Sequence, residues 1–282
     1  MYLMQHLATL AALRHIEPMS ESTTPAARAL APRRHDEILK RVAADGSVSI
    51  AELARFFDVS RETIRRDLKV LADKGLFELI HGGAARSDAV EPGLSERSRE
   101  NAQGKAIIGK LAADMVEEGM VVFLDSGTTT LAVAHALAAT RKTLTICTSS
   151  LAIALFTCHL PNVRTHVFGG EINPEEEAAS GMDVLQAAED FRIDVAFLGA
   201  GAVTSEGDIT DFTKGGTLLR SRMISMARTA YFVIDSSKFG RSTPLKIPNS
   251  HDATGIITDR NPNDILTAVL SAKGMEVFIP TY

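Results

Sequence analysis

A chain of 282 residues, 45% hydrophobic and 23% charged, is long enough for two domains at roughly 100–200 residues each and has an ordinary globular composition. No apolar run reaches the ~18–20 residues of a membrane helix, and Met1 to Ile16 lacks the basic start and clean apolar core of a signal peptide. The net charge of −5 excludes a protein coated with cation, yet it is uneven: residues 1–90 carry 13 Lys+Arg against 12 Asp+Glu (+1), the remainder 17 against 23 (−6).

Residues 1–30 read as a disordered leader, polar and small around Met19-Ser-Glu-Ser-Thr-Thr-Pro. Met19 is itself a suitable start codon, so the sequence leaves open whether translation begins at Met1 or at Met19. From Arg33 to Ala44, Ile38, Leu39, Val42 and Ala43 follow helical spacing, and Asp45-Gly46 ends the helix. Ser47-Val-Ser is extended. A second helix, Ile50–Phe57, turns inward Leu53, Ala54 and Phe57. After Asp58-Val59, Ser60 can cap a third helix that runs to about Lys74, with Ile64, Leu68 and Leu71 inward and Glu62 in its positive first turn. A strand 76–80, a Gly82-Gly83 turn and a return strand 84–86 complete a winged helix-turn-helix spanning 31–86, its helix-turn-helix at about 48–67.

The third helix concentrates the basic charge that the whole-chain sum conceals. Arg61, Arg65, Arg66 and Lys69 share one exposed side, with Ser60 and Thr63 at its start. Such a helix fits the major groove, where its first turns reach base edges. His81 and Gly82 stand where a wing meets the phosphate backbone, and paired glycines permit close approach. A basic helix alone would read as a solvated face; the ordered series of elements around it favours DNA.

Residues 87–104 read as a polar linker containing Pro92 and Gly93. Over 105–282, helix and strand patterns alternate: helices at 105–117, 130–139 and 150–156, strands at 120–124, 144–148, 164–168, 195–199, 230–234, 255–257 and 276–279. Runs such as Val121-Val-Phe-Leu are apolar without alternation, as in parallel strands covered on both faces. The cysteines, Cys147 and Cys158, read as buried thiols in a reducing cytoplasm, and neither they nor the eight scattered histidines give a metal-ligand spacing; no metal or cofactor is expected.

Asp125-Ser126-Gly127-Thr128-Thr129-Thr130 follows an apolar strand and opens a helix. A helix N-terminus offers free N–H groups and about half a positive charge, Gly127 lets the backbone curl around an anion, and the hydroxyls add donors. Asp125 sits awkwardly beside a phosphate and suits sugar hydroxyls or loop support. A well-capped turn with no ligand is the alternative. Other strand ends supply Thr148-Ser149, Gly169-Gly170-Glu171 and Gly199; Lys238 offers a cation to the same anion. Small and hydroxyl residues at successive strand ends would line one cleft.

Arg34-His-Asp-Glu-Ile-Leu, Ala51-Glu-Leu-Ala, Val59-Ser-Arg-Glu-Thr-Ile-Arg-Arg-Asp-Leu, His81-Gly-Gly-Ala, Phe123-Leu-Asp-Ser-Gly-Thr-Thr-Thr, Phe168-Gly-Gly and Ile234-Asp-Ser-Ser-Lys-Phe-Gly resemble the DeoR/GlpR family of bacterial transcriptional regulators. The resemblance implies a cytoplasmic homo-oligomer, often a repressor, that binds double-stranded operator DNA. It also implies an effector domain similar in fold to ribose-5-phosphate isomerase, with a sugar phosphate or related metabolite as effector. Lys214 and Gly215 resemble that isomerase's Lys-Gly-Gly loop. Ser221 stands where the isomerase has its glutamate base, and Leu198–Ala202 lacks its aspartates, so the binding half of the site is present without the acid/base half. Ser149, Gly216 and Thr217 depart from the regulators' pattern inside the expected pocket. The expectation is therefore an α/β protein, a winged helix-turn-helix followed by a parallel-sheet, isomerase-like sensor domain. The alternatives are an isomerase with an appended DNA-binding head and an architectural DNA binder with an empty body.

Overall fold

The computed structural model describes residues 31–45, 47–80, 82–85, 91 and 93–281; the expected leader and His81 lie outside them. The chain divides into two units, Met1–Arg86 and Ser87–Tyr282.

The first unit contains α1 (Ala31–Asp45), β1 (Ser47–Ser49), α2 (Ile50–Phe57), α3 (Arg61–Ala72), β2 (Glu78–Ile80) and β3 (Gly83–Ala85). Ser49 caps α2 by accepting from Ala51 N, and Asp58, in the left-handed region at φ 50°, ends it. Ser60 caps α3 by accepting from Thr63 N at 3.1 Å. The strands form an antiparallel sheet of order β1-β3-β2, so the extended piece before α2 joins the wing. Gly83 is required there: a Cβ would lie 1.9 Å from the Val48 carbonyl oxygen. The apolar faces of the three helices meet in a core of Ile38, Val42, Leu53, Phe57, Ile64, Leu68, Leu71 and Phe77.

The second unit begins with α4 (Leu94–Arg99), α5 (Ala102–Asp114), β4 (Val121–Leu124), α6 (Thr128–Thr140), β5 (Leu144–Thr148), α7 (Leu151–Thr157) and β6 (Val163–Val167). It continues through β7 (Glu171–Asn173), β8 (Ala178–Ser180), α8 (Met182–Glu189), β9 (Val195–Leu198), β10 (Ala202–Val203) and β11 (Ile209–Asp211). Then come α9 (Lys214–Met226), β12 (Thr229–Val233), β13 (Leu245–Lys246), β14 (Gly255–Ile257), α10 (Asp264–Ala272) and β15 (Glu276–Phe278). Seven strands form a parallel sheet of order β15-β14-β12-β9-β4-β5-β6.

Successive residues of each central strand face opposite sides, and both sides are covered. Phe123, Ala196, Leu198 and Phe232 pack with Val184, Leu219, Met223 and Leu266; Val122, Leu124, Ile146 and Phe197 pack with Ile108, Val133, Leu137 and Ile153. From β4 the chain builds outward through β5 and β6, then returns to place β9 on the other flank of β4. The direction of winding therefore reverses between β4 and β9, the point where open α/β sheets leave a crevice at their carboxyl ends. A β7–β8 hairpin and a small sheet of order β10-β11-β13 stand outside the main sheet.

Four expectations need correction. The polar segment 87–104 holds a short helix, α4, and the start of α5; Asn101 caps α5 by accepting from Gly104 N, a start the polar composition concealed. The 164–168 run becomes the edge strand β6, half-exposed rather than covered on both faces. Cys158 is exposed, because Ile153 and Thr157 carry the buried face of α7. Lys214-Gly-Gly is helix, not loop: Thr213 caps α9 by accepting from Gly216 N at 3.2 Å.

Candidate functional site

In the first unit, Arg61, Arg65, Arg66 and Lys69 of α3 are exposed, as are Ser60 and Gly82, while Thr63 is half-buried. Ser60 and Thr63 engage each other, Oγ to Oγ1, at 2.9 Å. Glu62 lies within 3.3 Å of Arg66 Nε and 3.8 Å of Arg65 Nη1, exposed pairs that solvent screens and that leave both guanidinia available. The rear of α3 is held by an ion pair that sequence reasoning missed. Asp67 accepts from Arg34 Nε at 2.8 Å and Nη2 at 3.1 Å, with His35 Nε2 3.0 Å away. Two separated motifs thus meet: Arg34-His35 of α1 grips the acid inside Arg-Arg-Asp-Leu, with the basic face of α3 turned outward.

In the second unit, an open cleft lies between the carboxyl ends of β4, β9 and β12. Ser126, Gly127, Thr128, Thr129 and Thr130 line it, with Gly199 opposite and Lys238 beyond β12. Gly127 has φ +132°, a conformation open to glycine, and it turns the chain directly into α6. The first N–H groups of α6 have no helical acceptor. Thr130 donates its hydroxyl to Gly127 O at 2.9 Å, whereas Thr128 and Thr129 line the cleft.

Asp125 supports this loop. Its carboxylate accepts from Ser126 N at 2.8 Å, Gly199 N at 3.0 Å and Arg220 Nε at 2.6 Å, tying the ends of β4 and β9 across the reversal point. Arg220 Nη1 also lies 2.8 Å from Asp211 Oδ2. Burial pushes the Asp125 carboxyl up. Burial also opposes the Arg220 charge, but Asp125 and Asp211 outweigh it and hold the guanidinium protonated. With three donors on Asp125, the ionised pair prevails.

A second cavity shares Ser126 with the first and is lined by Ser149, Asn173, Glu176, Thr213 and Gly215. Glu176, in the β7–β8 turn, accepts from Ser126 Oγ at 3.3 Å and Thr213 Oγ1 at 3.1 Å. Several expected residues lie elsewhere. Thr148 is fully buried and accepts from Ser150 N at 3.0 Å. Gly169, Gly170 and Glu171 are exposed where the chain leaves β6 for the hairpin; Gly170 serves packing, since a Cβ would lie 2.6 Å from Ser180 O. Lys214 is exposed at the start of α9 and lines neither cavity.

Sequence reasoning also missed Glu91, Arg97, Lys105 and Asp235 in the first cleft. Lys105 donates to Glu100 O at 2.7 Å and to Arg97 O, fastening the end of α4; burial lowers its pKa. Lys238 lies 3.8 Å from Glu100 Oε2. Asp235 accepts from Ser237 Oγ at 2.7 Å and Asn101 Nδ2 at 3.2 Å. No helix of the described residues is long and apolar enough to cross a membrane.

Two family descriptions match the chain: DeoR C terminal sensor domain over residues 100–260 and DeoR-like helix-turn-helix domain over 34–90. The chain is 32% identical over 248 residues to the HTH-type transcriptional repressor CsqR of Escherichia coli (strain K12), covering 88% of this chain and 95% of that protein. It is 32% identical over 240 residues to the glycerol-3-phosphate regulon repressor of the same organism, covering 85% and 95%. Among solved structures, ribose 5-phosphate isomerase A from Methanocaldococcus jannaschii is similar over 50% of this chain and 55% of its own, at 16% identity and a TM-score of 0.38.

Proposed function

The chain belongs to the DeoR family of DNA-binding transcriptional regulators, and we propose that it represses carbohydrate genes under the control of a phosphorylated sugar or sugar-derived ester bound in the first cleft. One observation carries the effector reading: a glycine-shaped loop at the reversal point aims the N-terminus of α6, with the hydroxyls of Thr128 and Thr129, into a cleft that Lys105, Arg220 and Lys238 also line. Free N–H groups, a helix dipole and nearby cations suit a phosphate. The second cavity, with Ser126, Asn173 and Glu176, suits the hydroxyls of the same ligand. Repression follows the named functions of the relatives.

On the DNA side, Arg61, Arg65, Arg66 and Lys69 meet base edges and phosphates from the major groove, with Ser60, Thr63 and Gly82 at the backbone. Two copies or more of the chain would read paired half-sites, a point that light scattering checks. Binding rather than turnover is supported by Ser221, whose hydroxyl donates to Asn249 Oδ1 at 2.6 Å; an alcohol engaged with an amide has no base beside it. The effector shifts the DNA-binding equilibrium only as far as it prefers one state.

A thermal-shift screen against sugar phosphates and their unphosphorylated parents tests the reading. A ligand at about 100 times its Kd adds roughly 2.7 kcal/mol. Stabilisation by phosphorylated compounds, lost in Thr128→Asp, is the expected result. A response to neutral sugars alone overturns the phosphate assignment.

A further inference from the structure

Arg97 has more hydrogen-bonding capacity than its surroundings use. It projects from α4, which packs against α6, and its side chain is 12% exposed. Nη1 is ion-paired with Glu91 Oε1. Nε and Nη2 are buried and, among the described residues, bond to nothing, a costly arrangement for a guanidinium. Arg220 Nη1, in the same cleft, lies near Asp211 but out of line for a hydrogen bond. The cleft therefore holds surplus donors on two sides besides the free N–H groups of α6.

The acceptor opposing Arg97 is a single carboxylate, that of Glu91, and it engages one of the three guanidinium nitrogens. Arg97 is the only partner of Glu91 among the described residues. Arg97 itself is anchored, because Lys105 binds its carbonyl and that of Glu100. We propose that Arg97 is a ligand of the effector's anionic group and that Glu91 is its internal competitor: phosphate and the Glu91 carboxylate contest one guanidinium, and binding of the effector displaces Glu91. This rests on the reading of the cleft as an anion site.

The contest favours the phosphate. A phosphate ester carries up to two charges and three acceptor oxygens, enough to meet Nε and Nη2 together while touching the α6 N-terminus. Glu91 offers one charge, and burial pushes its pKa up to about 7, so its ionised form is poorly accommodated.

Inorganic phosphate is the probe, titrated at constant ionic strength into the full chain and read by calorimetry and thermal shift. Glu91→Gln should tighten phosphate about fivefold, and Arg97→Gln should weaken it about tenfold or more. The double variant should behave as Arg97→Gln alone, since the gain acts through Arg97. If Glu91→Gln leaves affinity unchanged or weaker while Thr128→Asp abolishes binding, the competitor is refuted and the cradle stands. If wild type and Thr128→Asp respond alike, the reading of the cleft fails and the competitor falls with it. Should Arg97→Gln not fold, the direction of the Glu91→Gln change decides alone.

Discussion

Replacing Arg220 with Met tests the claim that one buried cation organises the Asp125–Thr130 loop. Arg220, Asp125 and Asp211 have side chains 6%, 2% and 5% exposed. A methionine fills most of the volume but leaves two carboxylates buried without a cation. Breaking a buried pair by removing one partner costs about 3–5 kcal/mol, a large share of the ~5–15 kcal/mol of a typical domain. The deficit should also depend on pH. Burial already raises the Asp125 pKa above its ordinary 3.8, and loss of Arg220 raises it further. A carboxyl whose folded pKa is raised penalises the fold fully above that pKa, and the penalty fades as pH falls toward the unfolded value. Urea unfolding followed by circular dichroism, from about pH 8 to about pH 5, should therefore show a deficit that shrinks with acidification. Adding Asp125→Asn and Asp211→Asn should restore a large part of it, because the buried charges are gone. A deficit below about 1 kcal/mol, or one independent of pH, would refute the reasoning.

Arg65→Ala and Arg66→Ala should each weaken binding to a promoter fragment by about 1–3 kcal/mol if they contact bases; unchanged fluorescence anisotropy titrations for both would remove α3 from the interface. Asp67→Ala removes the carboxylate that accepts from two Arg34 nitrogens and should cost the DNA-binding unit about 1.5–3 kcal/mol, whereas a thermal unfolding midpoint within error of wild type argues against the α1–α3 clasp. Burial pushes the Glu91 pKa from 4.5 up to about 7, against the opposing pull of Arg97 and Arg220 and with the help of Glu176 and Asp211. The folded protein then binds that proton more tightly than the unfolded chain, so wild type loses stability as pH rises from 4.5 toward about 7. Glu91→Gln should lack this loss, and parallel stability–pH curves for the two proteins would contradict it.

The winged helix was legible because its signals are local. Ser60 precedes the helix it caps, Ile64, Leu68 and Leu71 repeat at helical spacing, and Gly82-Gly83 punctuates the strands. The central strands were legible as unbroken apolar runs, and Asp125–Thr130 as a loop between strand and helix. What stayed hidden was long-range. Asp125 and Arg220 are 95 positions apart, Arg34 and Asp67 33, and no local pattern pairs them. A signal did exist in each case: a charge standing within an apolar stripe. Arg220 lies between Thr217 and Met223/Ile224, and Asp67 between Ile64 and Leu71, all on buried helix faces. A charge at such a position needs a buried partner. Arg97 and Glu91 carried no comparable sign, because the polar stretch around them resembles any solvated linker. Glu176 was hidden likewise in a run of three acids.

The two buried Arg–Asp pairs occupy corresponding places, one behind the basic face of α3 and one behind the loop that opens α6, the two surfaces proposed above to bind. Ion pairs of this kind contribute little net stability, since desolvation offsets most of their attraction. Their value is directional. Apolar side chains could fill the space around Asp125, but none could accept from Ser126 N and Gly199 N at once and so fix the ends of β4 and β9 relative to the α6 N-terminus. Asp67 acts similarly, taking both Arg34 Nε and Nη2 and so fixing the rotation of α3, hence which residues face outward. A phosphate cradle and a recognition helix both fail when misplaced by about an ångström. An expensive buried charge is a reasonable device where the position of neighbouring backbone matters more than the energy of holding it.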